Sequence, residues 1–313
     1  MSFKDFSDLI RLPLGVMASI SGLAAGFMII LIEKVNYNLL DVFQNYLGQI
    51  IVGLPIPFLI VCGAMALNDY YDFDADLKNN RLDRPLISGI YSKPFALYLS
   101  IVMMGLGAVL TIVLYLFWPY RVQFYIFPAV LLFITIAVSY STWLKKYGFL
   151  GNIVVSLSYP AAMFLAMGVV GTRDPEAILT LTSFVVMIFF SALGREVLKG
   201  VMDIEGDKAQ GVKTIAVRYG PKNAAFFCTF LFLVAVPFGP VPLMVTFWSR
   251  SLLASILYTV SIATTLLLLI TSGIRLIRDP SKETGIKGRK QTKLAFWSLV
   301  VGFFLATIVL GIR

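Results

Sequence analysis

The chain has 313 residues, of which 58% are hydrophobic and only 14% charged. A soluble domain of that composition could not cover its own apolar surface, so the chain is read as a membrane protein built from spanning helices. The absence of histidine excludes histidine-ligated metals, histidine-held haem and histidine acid–base catalysis; the net charge of +9 reflects loop lysines and arginines and no nucleic-acid surface.

Charge-free apolar runs of about 18 residues or more read as spanning helices. Nine occur, over 12–32, 46–67, 95–117, 122–143, 150–170, 177–194, 223–247, 251–274 and 294–312. The first is too long for a signal-peptide core and is expected to remain as a helix. The second runs into an acidic cluster, Asn68-Asp69-Tyr70-Tyr71-Asp72-Phe73-Asp74-Ala75-Asp76, followed by Arg81, Asp83 and Arg84. The fourth ends near Tyr140 and is followed by Lys145 and Lys146. The sixth runs into Arg195, Glu196, Lys199 and a second cluster, Asp203-Ile204-Glu205-Gly206-Asp207. Pro55, Pro57, Pro160, Pro237, Pro240 and Pro242 interrupt the second, fifth and seventh runs. Cys62 and Cys228 each sit alone in an apolar run and are read as core residues. Nine helices leave little chain for anything else, so 1–313 is read as one domain.

With the N-terminus in the cytoplasm, 21 of the 26 lysines and arginines fall on inner segments, leaving Lys34, Arg121, Arg173, Arg250 and Arg313 outside. This asymmetry predicts a cell-membrane protein with both acidic clusters on the cytoplasmic side.

The spacing within the clusters points to chemistry. On a continued helix, Asn68, Asp72 and Asp76 share one face, with Asp69 at its margin. Asp203 and Asp207 share a face one turn apart, on a stripe with Arg195, Glu196 and Lys199. Asp74, Asp83 and Glu205 are expected to be solvated. Asp72 to Asp203 and Asp76 to Asp207 are both 131 residues, and an offset of four helices suggests a duplicated unit with a ninth helix appended. Stacked carboxylates repel one another, and a divalent cation resolves the conflict. Mg2+ prefers oxygen ligands completed by waters and phosphates. The metal candidates are therefore Asn68, Asp72, Asp76, Asp203 and Asp207. Arg84, Lys145, Arg195 and Lys199 are candidates to bind a diphosphate, with Tyr140 as a hydrogen-bond donor. The catalytic set is Asp72, Asp76, Asp203, Asp207 and Lys199.

Asn68-Asp69-x-x-Asp72-x-x-x-Asp76, followed by Asp83-Arg84-Pro85-Leu86-x-Ser88-Gly89, resembles the first signature of the UbiA superfamily of intramembrane prenyltransferases. Asp203-x-x-x-Asp207 resembles the second. The resemblance implies nine helices in one bundle around a lipid-open cavity, capped by two cytoplasmic loops. It also implies Mg2+-dependent transfer of a prenyl group from a prenyl diphosphate. The stretch Arg195–Thr214 and the residues Tyr140, Lys145, Lys146, Gly151 and Asn152 are similar to those of archaeal digeranylgeranylglyceryl phosphate synthases. That similarity implies a geranylgeranyl donor and geranylgeranylglyceryl phosphate as lipid acceptor. Chlorophyll synthases look similar around Glu205-Gly206-Asp207, and Ile215-Ala216-Val217 departs from the Leu-Pro-Val or Leu-Pro-Ile more usual there. An aromatic, quinone-precursor acceptor or a chlorophyll-type one therefore stays open. An ion-coupled transporter is the distant alternative, disfavoured because no apolar run carries a charge at its centre.

Overall fold

The computed structural model describes residues 2–78, 81–209 and 211–312, without the side chains of Ala75 and Lys78. Lys78, counted above among the inner charges, thus has only its backbone described, and Arg313, counted among the outer ones, lies outside the described residues. Every regular element among the described residues is helical.

The chain opens with a short helix the sequence reading did not anticipate, α1 (Phe3–Ile10). A capping box between Ser2 and Asp5 starts it, and Leu9 and Ile10 are buried against neighbours that include Leu86, Ala96 and Cys62. Arg11 then turns the chain with φ 49°, the one non-glycine residue with positive φ among those described. The helices α2 (Leu12–Glu33), α3 (Leu39–Gly53), α4 (Pro55–Lys78), α5 (Lys93–Phe117), α6 (Ile126–Thr142), α7 (Phe149–Ser158), α8 (Ala161–Val170) and α9 (Pro175–Met202) follow. The rest are the short α10 (Ile204–Ala209) and α11 (Ile215–Tyr219), then α12 (Pro221–Ala235), α13 (Leu252–Arg278) and α14 (Lys282–Leu310).

Eight helical stretches of 22 residues or more are long and apolar enough to cross a bilayer, and the chain is a multi-pass membrane protein. The predicted run 122–143 becomes the 17-residue α6, because 119–125 is spent on turns. The prolines act where expected. Pro55 separates α3 from α4, Pro160 separates α7 from α8, and Pro237, Pro240 and Pro242 break the stretch after α12 into 3-10 and π turns.

The core lies where α2, α9, α13 and α14 meet, around Phe27, Met28, Phe184, Tyr258 and Phe303. Helices without a hydrophobic drive between them rely on close approach. Accordingly Ser261 donates to Ser298 O (2.6 Å) between α13 and α14. Large apolar side chains such as Ile101, Leu132 and Leu267 point outward, as a lipid surroundings permits. Cys62 and Cys228 are free and buried, in keeping with core roles.

Candidate active site

α4 continues helically past its apolar part, carrying Asn68, Asp72 and Asp76 on one face as the spacing predicts. Asn68 Nδ2 donates to one Asp72 oxygen (2.7 Å), and the Lys145 ammonium pairs with the other. Lys145 arrives on a 3-10 turn, Leu144–Tyr147, directly after α6. One turn further on, Asp76 lies 3.9 Å from Arg84 Nε. Burial raises the Asp76 carboxyl above its ordinary range; the Arg84 charge works against this and the Asp72 charge with it.

Asp69, placed at the margin by sequence, is instead buried. Its Oδ1 accepts from Arg11 Nη2 and Arg84 Nη1, both at 2.8 Å, while its Oδ2 has no partner. It therefore fixes both the α1–α2 turn and the loop behind the first cluster. Asp74, Asp83 and Glu205 are exposed, as expected, with Asp83 gripped by Arg81 at 2.8 and 2.9 Å.

The second cluster is less regular than a straight helix. α9 stops at Met202 and Asp203 caps it, exposed, with φ −107° and ψ 14°. The relation to Asp207 survives the break, because Asp207 N donates to Asp203 O at 2.8 Å. Burial pushes the Asp207 carboxyl up to about 6, against a hydrogen bond from the Thr214 hydroxyl and with the Asp203 charge. Arg81 lies within electrostatic reach of both Asp76 and Asp203, and Gly148, next to the Lys145 turn, packs against Lys213 in the loop of the second cluster, so the two acidic ends lie at the same end of the bundle.

Lys199, expected beside Asp203, is held elsewhere. Its ammonium donates to both oxygens of buried Glu196, at 2.6 and 2.7 Å. Arg195 Nη1 donates to the Tyr159 hydroxyl (3.0 Å), which donates to Glu196 Oε1 (3.2 Å). Tyr140 lies within electrostatic reach of both Glu196 and Asp72. Asp69, Arg11, Glu196 and Tyr159 thus join the predicted residues. Only Asp69 and Glu196 carried a signal, as acids at the ends of apolar runs.

Among the described residues no three carboxylates stand close enough to hold an ion unaided. The donor set is oxygen only; Lys145 pairs with Asp72, while Arg84, bonded to Asp69, stands 3.9 Å from Asp76. Such a set fits a hard cation that completes its shell with water and phosphate.

Fold and site together define a helical membrane protein that gathers carboxylates and cations at one end of its bundle. A family model described as the UbiA prenyltransferase family matches residues 41–300, and the chain belongs to that family. Digeranylgeranylglyceryl phosphate synthase of Archaeoglobus fulgidus is 33% identical to it, covering 96% of this chain and 94% of the relative. The synthase of Methanocaldococcus jannaschii is 29% identical, covering 98% and 97%. A solved structure of a digeranylgeranylglyceryl phosphate synthase superposes with a TM-score of 0.70 at 24% identity, covering 98% of both chains. A UbiA homolog from Archaeoglobus fulgidus bound to DMAPP and Mg2+ does so at 0.65 and 19%, covering 97% of this chain and 99% of the homolog.

Proposed function

We propose that this protein transfers a geranylgeranyl group from its diphosphate to the free hydroxyl of geranylgeranylglyceryl phosphate, forming an ether. The observation that carries this reading is that both acidic helix ends lie at one end of the bundle, with Lys145 paired to Asp72, Arg84 near Asp76 and the loop of the second cluster packed against the Lys145 turn. The relatives' shared name supports the acceptor.

In this reading Asn68, Asp72, Asp76, Asp203 and Asp207 hold Mg2+, which when bound neutralises the diphosphate as a leaving group. Arg84 and Lys145, pre-placed beside those carboxylates, swing from them to the diphosphate oxygens. The C1–O bond breaks with its electron pair going to the diphosphate, where these cations stabilise the developing charge. The apolar bundle shields the allylic cation from water. The acceptor oxygen attacks C1, and the released diphosphate takes up the hydroxyl proton. Arg195 and Lys199, with Tyr159 and Tyr140 beside them, supply the charge and donors that hold the acceptor's own phosphate. The acidic end faces the cytoplasm, where both polar substrate ends are available.

The test is competitive. Purified protein receives geranylgeranyl diphosphate, Mg2+ and equal amounts of geranylgeranylglyceryl phosphate and 4-hydroxybenzoate, and products are identified by mass spectrometry. The diether phosphate is expected. Prenylated benzoate as the main product overturns the acceptor, and no transfer to either overturns the reading.

A further inference from the structure

The first turns of α14 stand against the last turns of α9. A Cβ on Gly285 would come 2.5 Å from Met202 Cγ, and one on Gly288 would come 2.9 Å from Leu198 Cδ1. Met202 precedes Asp203, and Leu198 precedes Lys199. About two turns further along α14, the Phe296 ring packs on the Tyr159 ring with centroids 5.6 Å apart. α14 is thus pinned along the group formed by Arg195, Tyr159, Glu196 and Lys199.

Arg289 follows Gly288 and lies seven residues before Phe296, so it shares the Tyr159-facing side of α14 to within about 20°. Its guanidinium is within electrostatic reach of Arg195, Glu196 and Lys199, and of Arg11 and Asp203. Arg289 is exposed, and among the described residues no carboxylate stands within ion-pair distance of it. In this it differs from Arg11, Arg81, Arg84, Lys145 and Lys199, each of which has a carboxylate of its own.

The charge of this group does not close within the protein. Arg11 is bonded to Asp69, and Asp203 belongs to the second acidic cluster. Arg195, Lys199 and Arg289 then face the single carboxylate of Glu196; three cations against one anion leave two positive charges. Arg195 Nε is also buried without a hydrogen-bond partner, so a donor stands unused beside them. A phosphate monoester carries close to two negative charges at neutral pH and presents three acceptor oxygens. Arg195 and Lys199 by themselves, offset by Glu196, would match a singly charged head group instead.

Resting on the reading that this group holds the acceptor's phosphate, we propose that Arg289 is the third cation of that site and sets its preference for a phosphate monoester over an uncharged acceptor. α9 supplies two of the cations and α14 the third, and the close approach at Gly285 and Gly288 brings the two helices to one head group.

The test separates the phosphate from the rest of the acceptor. Binding of geranylgeranylglyceryl phosphate and of geranylgeranylglycerol, the same alcohol without its phosphate, is measured in nanodiscs of zwitterionic lipid, followed by transfer kinetics. The proteins are wild type, Arg289→Gln, Arg289→Lys and Lys290→Gln, the last removing an exposed neighbouring charge. Wild type should bind the phosphate at least about tenfold more tightly than the alcohol. Arg289→Gln should weaken phosphate binding about tenfold or more, the scale of a lost hydrogen bond to a charged group, and leave alcohol binding as it was. The acceptor's KM should rise in step while kcat and the donor's KM hold. Arg289→Lys should recover part of the loss, since it keeps the charge without the planar fork, and Lys290→Gln should match wild type. Unchanged phosphate binding in Arg289→Gln, an equal loss in Lys290→Gln, parallel loss of phosphate and alcohol, or a rise only in the donor's KM overturns the role of Arg289. Absence of any phosphate binding by wild type overturns the proposed acceptor as well, whereas wild-type binding that Arg289→Gln leaves intact overturns only this inference.

Discussion

Asp72 and Asp74 are two residues apart on one helix and make a sharp internal control. Asp72 turns toward Asn68 and Lys145, while Asp74 is exposed and 3.5 Å from Lys93. Asp72→Ala and Asp203→Ala should each remove most transferase turnover with the helical circular dichroism unchanged, and Asp74→Ala should keep most of it. Full activity in either of the first two would undo the paired-cluster site. Asp69 makes a different prediction. Its carboxylate is 2% exposed and bridges two arginines. Removing one partner of a buried ion pair costs about 3 kcal/mol, because the other charges stay buried without it. Asp69→Ala should therefore lower the thermal unfolding midpoint and reduce turnover by releasing Arg84; an unchanged midpoint would refute the bridge. Helical spacing located the aligned acids, since one face of α4 is a local property. It misplaced Asp69, because Arg11 comes from a turn 58 residues earlier in the chain.

At the scale of elements, the breaks matter as much as the helices. Gly148 joins the Lys145 turn to α7 with φ +59°, and a Cβ there would stand 2.2 Å from Lys213 O. That contact docks the loop of the second cluster, whose Thr214 bonds Asp207, against the turn that carries Lys145. Gly148→Ala meets both a strained backbone and a backbone clash. It should push the loop away and cut turnover at least about tenfold, with loss of roughly 1–3 kcal/mol of stability. Wild-type kinetics in Gly148→Ala would show that the two segments need not touch. Proline made the interruptions at 55, 160 and 237–242 legible. The stop at Met202 was not, since nothing in Gly200-Val201-Met202-Asp203 forbids helix. α1 was missed because eight amphipathic residues carry no spanning signal, although the Ser2–Asp5 capping box marks its start.

For the whole molecule, the proposed orientation is tested by single cysteines placed at 81–92, at 203–209 and at 172–174, on a background where Cys62 and Cys228 are buried. The first two should react with impermeant thiol reagents from the cytoplasmic side only, and the third from outside. Opposite labelling of the two acidic loops would break the model of a shared diphosphate. Metal and pH are linked through Asp76 and Asp207. Both carboxyls hold their protons more tightly folded than unfolded. Without metal, their contribution to stability is therefore present at acid pH and is lost as pH rises through about 6 for Asp207. A cation takes the proton's place. Mg2+ should thus raise the unfolding midpoint clearly at pH 7.5 and little at pH 5, EDTA should reverse this, and Asp207→Asn should shrink the difference. An equal Mg2+ effect at both pH values would show that these carboxylates are not the ligands.

Hydropathy, charge placement and two acidic spacings settled that this is a helical membrane protein, and the motifs pointed to its family, because bilayer length and helical period act along the chain. Three things depended on the folded structure: the partners of Asp69, the capture of Lys199 by Glu196, and the break at Asp203. The partners of Asp69 come from other segments, one of them 58 residues away, and a pattern within one helix holds no record of which neighbour will stand against it; Lys199 and Glu196 lie three residues apart on α9, and there the folded structure adds the burial of Glu196 against Tyr159 and Arg195 that makes the pair.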